Sequence, residues 1–420
     1  MLDIKFIREN VDIVKMAATK KKMTVDIDRL IAVDDSRREI MQRLEGKRAD
    51  QKKVSDTIPT TADATARQQL ISEMQVLKTD VQTDEEALKP VMEEWQRLML
   101  QVPNIPDMNV PEGAGEEDNV EVKSWGEKPK FDFEPKDHLE LMLNHKMVDF
   151  ERGTKAHGFR GYYLLGDGAL LSWAIWNYAR DFFLQKNFNP FIAPAIVRKE
   201  HFYGTGHLPG DENDLFKTQD DDYLAGTAEV GMMAFHSSEI LEKSELPKRY
   251  LAFSPCYRRE AGSHSKDVKG LIRVHEFFKW EQLIICEANH EVSAAFHEEL
   301  NRNTEEFIES LGLPYRQLEI CTGDLKGAHV RSYDTELWVP KQQTYREIAS
   351  ASYYHDFQTR RFNTRYRDET GKLRYAHSLN ATAIPTPRIL VSLVENFQQA
   401  DGTIKIPPVL QTYFGKDQIG

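Results

Sequence analysis

Two apolar repeats within the first hundred residues restrict the fold more than any other feature of this chain. Leu30, Val33, Ile40, Leu44, Val54 and Ile58 share one 4-3 spaced register, interrupted at Arg37, Lys47 and Gln51. After the turn-like PTTADAT of residues 59–65, Leu70, Met74, Leu77, Val81, Leu88, Val91, Trp95 and Leu98 hold the same spacing, broken only at Asp84. Such spacing lines up apolar side chains along one stripe of a helix. Two such runs joined by a short turn predict an antiparallel α-helical coiled-coil hairpin. About 30 residues per helix, at about 1.5 Å each, make an arm on the order of 45 Å long. Pro90 falls inside the second helix, where it should bend the axis or cost a hydrogen bond. The pattern fits a dimerisation coiled coil and equally a rigid arm for a long, structured partner. The first helix carries Arg37, Arg38, Arg43, Lys47, Arg48, Lys52 and Lys53, but also Asp34, Asp35, Glu39, Glu45 and Asp50. That mixture reads as a solvated face which permits phosphate contacts without requiring them.

The arm ends where QVPNIPDMNVPEGAGEE (101–117) brings in Pro103, Pro106, Pro111, Gly113 and Gly115. This density of breakers marks a linker. It divides the chain into an N-terminal domain, residues 1–110 with the hairpin at about 28–100, and a larger domain, residues 111–420. With 420 residues the chain can bury at least one large core. A net charge of −12 excludes a small basic nucleic-acid binder but not a large enzyme with a local basic surface. No apolar run approaches the roughly 18 residues of a membrane span, and MLDIKFIREN lacks the apolar core of a secretory signal. Cys256, Cys286 and Cys321 lie far apart without CxxC spacing, which argues against zinc or a disulfide framework and for a reducing cytoplasm. Beyond the linker, helix patterns (170–186, 291–311, 388–399) and strand patterns (189–197, 249–258, 271–285, 344–353) do not alternate regularly. That favours an α+β fold on an antiparallel sheet over a doubly wound one.

The chemistry concentrates in CYRREAGSHSKDVKGLIRVHEFFKWE, residues 256–281. Two strand-like segments flank the polar loop AGSHSKDVKG. A period of two places Arg258 and Glu260 on one face of the first, and Arg273, His275, Phe277, Lys279 and Glu281 on one face of the second. Arginine binds phosphate or carboxylate bidentately, and an aromatic ring can stack on a base. Neither GxxxxGK[ST] nor GxGxxG occurs, so a nucleotide bound here would have to be held on a sheet by arginine. Taken alone, the segment fits a solvated hairpin with incidental salt bridges as well as an anion-binding surface.

Arg-x-Glu, a variable loop, then Arg-x-His-x-Phe-x-x-x-Glu resembles motif 2 of class II aminoacyl-tRNA synthetases in its seryl form. The resemblance extends along nearly the whole chain. DNVEVKSWGE (118–127) and FDFEPKDHLEL (131–141) resemble the entry to the seryl enzymes' catalytic domain. The 170–186 helix with Pro194 resembles motif 1, the dimer-interface element. GTAEV (226–230) resembles the serine-binding TxE loop, REIASASYYHDFQTRRFNTRY (346–366) the EISSCS…FQARR segment, and HSLNATAIPTPRILVSLVENFQ (377–398) motif 3. Two stretches depart from the pattern. Ala383-Ile384-Pro385-Thr386-Pro387 replaces a glycine-rich run before Arg388, and Gly231-Met232-Met233 follows the TAE loop where proline is usual.

The resemblance implies a class II catalytic domain preceded by a tRNA-binding coiled-coil arm. It implies activation of L-serine with ATP and Mg²⁺, and transfer to tRNA(Ser) and tRNA(Sec) by a homodimer that is not membrane-bound. Arg258, Glu347 and Arg388 would be catalytic. ATP would be held by Arg258, Arg259, Glu260, Arg273, Val274, His275, Glu276, Phe277, Glu347, Ile348, Ala349, Ser350 and Arg388, with Glu347 and Ser350 as Mg²⁺ ligands. Serine would be held by Thr227, Ala228, Glu229, Glu281, Asn380 and Thr382. The loop from Ser263 to Lys269 would meet the tRNA acceptor end. Two other readings remain open: a ligase homologue charging a carrier protein, whose relatives lack a long arm, and a non-catalytic tRNA-binding paralogue.

Overall fold

The computed structural model describes residues 1–261, 267 and 269–420. The expected tRNA-contacting loop thus lies largely outside the described residues. The chain forms two compact units, Asp3–Pro103 and Asn104–Gly420, the latter with Met1 and Leu2.

The first unit is the predicted hairpin, preceded by short helices at Ile4–Glu9 and Val11–Lys20. Its long helices span Ile27–Thr57 and Ala64–Gln101, joined by a 3₁₀ turn at Ile58–Thr60. Asp26 and Asp63 cap their N-termini by accepting the amides of Arg29 and Ala66, which satisfies donors that lack intrahelical partners. Leu30, Val33, Ile40, Leu44 and Val54 are buried, as are Val81 and Leu98 of the second helix, and Val81 packs with Ile40 and Leu44. The second helix continues through Pro90, which lies on its exposed side and, having no N–H, gives up one intrahelical hydrogen bond there.

The polar breaks in the heptads meet one another. Lys47 Nζ lies 2.7 Å from Asp84 Oδ2, and Arg43 reaches Asp84 at 3.3 Å. The Arg37 guanidinium stacks over Trp95 at 4.8 Å. Asp34, read above as part of a solvated face, is instead 1% exposed. It accepts hydrogen bonds from Arg37, Trp95 Nε1 and Arg8. A polar layer inside an apolar seam fixes register, because any slip leaves its charges unpaired.

The second unit is built on eight strands: β1 (Val120–Trp125), β2 (Asn189–Ile192), β3 (Lys248–Tyr257), β4 (Glu276–Cys286), β5 (Tyr315–Glu319), β6 (Arg331–Val339), β7 (Thr344–Tyr353) and β8 (His377–Thr386). Their order is β1-β5-β6-β7-β8-β4-β3-β2. All neighbours are antiparallel except β2 and β3. Helices Gly166–Leu184, His290–Ser310 and Arg388–Asn396 bring Ile175, Phe183, Phe307, Ile308, Leu390 and Leu393 into one apolar core with Trp280, Ile284 and Leu337. The alternation of β4 divides its two faces. Trp280 and Ile284 enter that core, while Phe277, Lys279 and Glu281 line cavities on the other side. No helix among the described residues is long and apolar enough to cross a membrane.

The paired breaks generate a prediction. Asp84→Ala should lower the temperature at which the arm's helical circular dichroism melts, by leaving Lys47 without its partner. The double change Lys47→Leu with Asp84→Leu should raise that temperature, since an apolar pair avoids the desolvation of both charges. Equal melting of all three proteins would show that the layer has no role in register.

Candidate active site

Two connected cavities open on the face of β4 that carries Phe277, Lys279 and Glu281. The first is a narrow cleft of about 50 Å³, lined by Arg258, Glu260, Val274, Phe277, Glu347, Ile348 and Arg388 among others. The second, about 400 Å³, is lined by Thr227, Glu229, Glu281, Ser350, Asn380 and Thr382, with Asp334 and Tyr354. Arg258, Lys279, Glu347 and Thr382 border both.

Arg258 follows the last residue of β3, and its guanidinium lies 5.5 Å from the Phe277 ring centre. Two residues later Glu260 takes a left-handed conformation (φ 53°). Its buried carboxylate accepts from Arg273 at 2.9 Å and lies 3.9 Å from Arg160. Arg388 opens its helix and closes the cleft, with Nε donating to the Ile272 carbonyl at 3.0 Å and a terminal nitrogen to the Glu347 carbonyl at 3.0 Å. Burial pulls its guanidinium below the usual arginine range.

Glu347 and Ser350 lie on β7. Ser350 pairs across the ladder with Asp334 of β6. Burial, with the adjacent charge of Glu347, pushes the Asp334 carboxyl well above the ordinary range. A half-buried acid crowded by the charge of a more exposed one forms a site that attracts a cation.

The larger cavity is organised by a buried ion pair between Lys279 and Glu281 on β4. Thr227 completes it, accepting from Lys279 at 2.9 Å and donating to Glu281 at 3.1 Å. Thr227 also caps the helix Ala228–Phe235 through the amide of Glu229. Gly231, Met232 and Met233 therefore lie within a helix, which supplies the rigidity that proline would otherwise provide. Glu229 accepts from Gln358 Nε2 at 2.6 Å. Burial, reinforced by the charge of Glu281, raises its carboxyl above the usual range. Tyr354 donates to Asn380 Oδ1 at 2.9 Å.

Not every residue expected here is brought to the cavities. The segment 271–275 is not a strand, because β4 begins only at Glu276. The period of two therefore fails before Phe277. Val274 lines the cleft, while His275 turns away to meet His157 at 3.1 Å, beside Phe159 and Phe216. Glu276 accepts from Tyr257 on that outer side. Arg259 is held through its amide by the Asp214 carbonyl and lines neither cavity. Ala228 and Ala349 are buried in apolar clusters. Four residues with no role assigned from sequence prove integral: Lys279, Asp334, Tyr354 and Gln358. Lys279 lies on the alternation from Phe277 to Glu281, the one signal that could have found it.

An antiparallel sheet that gathers arginines, an aromatic ring and acids, without a glycine-rich phosphate loop, is the design of a class II aminoacyl-tRNA synthetase. Residues 215–397 match the family model for the tRNA synthetase class II core domain (G, H, P, S and T), and residues 1–106 match the seryl-tRNA synthetase N-terminal domain. The chain is 44% identical over 420 residues to the serine–tRNA ligase of Deinococcus radiodurans, covering 100% of this chain and 99% of that one. Seryl-tRNA synthetase from Pyrococcus horikoshii, solved in complex with ATP, superposes with a TM-score of 0.89 at 35% identity, covering 100% of this chain and 99% of that one. The cytoplasmic enzyme of Naegleria fowleri, solved with AMP, gives 0.86 at 29% identity over 100% and 98%. The chain belongs to the seryl-tRNA synthetase family.

The raised Glu229 carboxyl generates a pH prediction. A carboxyl whose folded value lies above its unfolded value opposes folding once ionised, and the penalty vanishes as pH falls below both values. Glu229→Gln should therefore melt at or above the wild-type temperature at pH 7.5. The difference should close as pH falls towards the ordinary carboxylate range near about 4.3. Differential scanning fluorimetry across that range checks it; a gap that widens on acidification would contradict the burial argument.

Proposed function

We propose that the protein is a serine–tRNA ligase that activates L-serine with ATP and passes it to the 3′ end of tRNA(Ser), with tRNA(Sec) as a second acceptor. The observation that carries this is Arg258, which borders both cavities and so meets an α-phosphate and a carboxylate at once. In the first step a serine carboxylate oxygen attacks the α-phosphorus, the bond to the β-phosphate bridging oxygen breaks, and pyrophosphate leaves. Arg258 neutralises charge growing at phosphorus. Phe277 stacks on adenine, Arg388 covers its other face as a cation, and Glu260 accepts from the adenine amino group. Arg273 reaches the outer phosphates. In the second step the terminal adenosine hydroxyl attacks the acyl carbonyl and AMP leaves. Catalysis rests on positioning and charge, and needs no enzyme nucleophile.

Thr227 and Glu229 take the serine ammonium; Glu281 and Thr382 take the hydroxyl. Alanine would leave those buried groups unpaired and is rejected on that ground. The residues also fit Mg²⁺, a cation of oxygen ligands that keeps several waters. Glu347 and Ser350 would hold it, and the crowding of Asp334 against Glu347 is the strain it would relieve. When bound, Mg²⁺ supplies charge neutralisation to the outer phosphates.

The hairpin is the tRNA-contacting arm, which disfavours the carrier-protein ligase reading. A homodimer is supported by apolar residues left in solvent on the motif 1-like helix and edge strand: Trp173 is 55% exposed and Ile192 85%. The three cysteines, buried and unpaired, suit a reducing cytoplasm.

Serine-dependent ATP–pyrophosphate exchange tests the reading. Exchange should be fast with serine and at background with alanine or threonine; equal rates for all three, or none with serine, would sink it. Deleting residues 28–100 should spare exchange and abolish tRNA charging. Charging that survives the deletion would remove the arm from this role.

A further inference from the structure

One buried histidine lies outside both cavities yet is tied to the elements that shape the nucleotide cleft. His138 opens the helix His138–Asn144. Its backbone amide and its ring Nδ1 each lie 2.9 Å from the same carboxylate oxygen, Oε1 of Glu395. A carboxylate only accepts, so Nδ1 carries the hydrogen. Glu395 is fully buried, and its second oxygen accepts the Lys341 amide at 3.0 Å. It sits two turns along the helix that Arg388 begins, on the same side, since positions seven apart coincide on a helix.

The other ring nitrogen points at the backbone. His138 Nε2 is buried and has no hydrogen-bond partner among the described residues. A side chain at Gly270 would place its Cβ 2.5 Å from that nitrogen. Gly270 has φ of +97°, so both conformation and space call for glycine. Two residues on, the Ile272 carbonyl accepts from Arg388, and Arg273 then pairs with Glu260. The stretch 270–273 is therefore seated at two points against the Arg388–Asn396 helix. Arg388 holds Ile272 directly, and Glu395 sets the His138 ring against which Gly270 lies.

We propose that His138, oriented by Glu395, is a positioning residue for the ATP subsite: its ring edge fixes where Gly270 runs, and so where the Ile272 carbonyl and Arg273 meet Arg388 and Glu260. His138 and Gly270 themselves line neither cavity, while Arg273 downstream of them borders the larger one. The inference rests on the ATP- and serine-binding reading above.

The test measures serine-dependent ATP–pyrophosphate exchange and thermal melting for the wild type, His138→Ala, His138→Asn and Gly270→Ala. Asparagine keeps a donor near Glu395 but removes the ring edge facing Gly270. The expected result is an ATP KM raised about tenfold in both His138 variants and in Gly270→Ala, with serine KM within about twofold, as loss of one packed contact implies. His138→Asn should melt close to wild type, so that its ATP defect is separate from any loss of stability. An ATP KM restored to the wild-type value in His138→Asn would overturn the proposal, leaving only a structural bond to Glu395. Serine and ATP KM rising together would overturn it too, by showing general damage. A wild-type protein without serine-dependent exchange would instead refute the function proposed above, a separate outcome.

Discussion

The site depends on one buried ion pair in a central strand. Lys279 and Glu281 point to the same side of β4, two residues apart, where neither is solvated. Burying both charges is costly unless geometry and further hydrogen bonds compensate. Thr227 provides that compensation by bonding to both. To do so it must stand at the N-terminus of the Ala228–Phe235 helix, which brings Glu229 into the cavity and seats it against Gln358. The electrostatics of one strand thus dictate where a separate loop and helix begin.

The same economy governs the cleft. The chain is acidic overall, but the arginines bordering its two cavities each lie against a partner. Arg273 is held by Glu260, and Arg388 by two backbone carbonyls. Arg258 lies close to an aromatic face. Restrained cations lose little freedom when an anion arrives, which is how preorganised charge stabilises a transition state. Net charge says little about such a site, because what matters is the local field within a few ångströms.

The arm was legible because a heptad repeat has essentially one solution. Even its interruptions carried information: Lys47 and Asp84 break their own repeats and meet each other. Asp34 was misread because a charged residue beside a seam resembles solvated surface until its partners from another helix are known. In the catalytic unit β7 followed the predicted boundaries, since its alternation is uninterrupted. The stretch 271–275 failed because its backbone is held by separate tertiary bonds, from Arg388 to the Ile272 carbonyl and from the Arg258 amide to the His275 carbonyl, rather than by a continuous ladder. That displaced His275 from the expected face. Lys279 and Gln358 lie inside segments read from sequence, but their roles, like that of Asp334, follow from packing that the sequence pattern does not show.

The polar layer of the hairpin also makes the arm a ruler. Its register is pinned at Lys47 and Asp84, about ten residues short of the end of the first helix. Removing one heptad from each helix between that layer and the turn would keep every inward position inward. It would draw the tip back by about 10 Å. Arm length is therefore adjustable in fixed increments, without redesign of the seam below the layer.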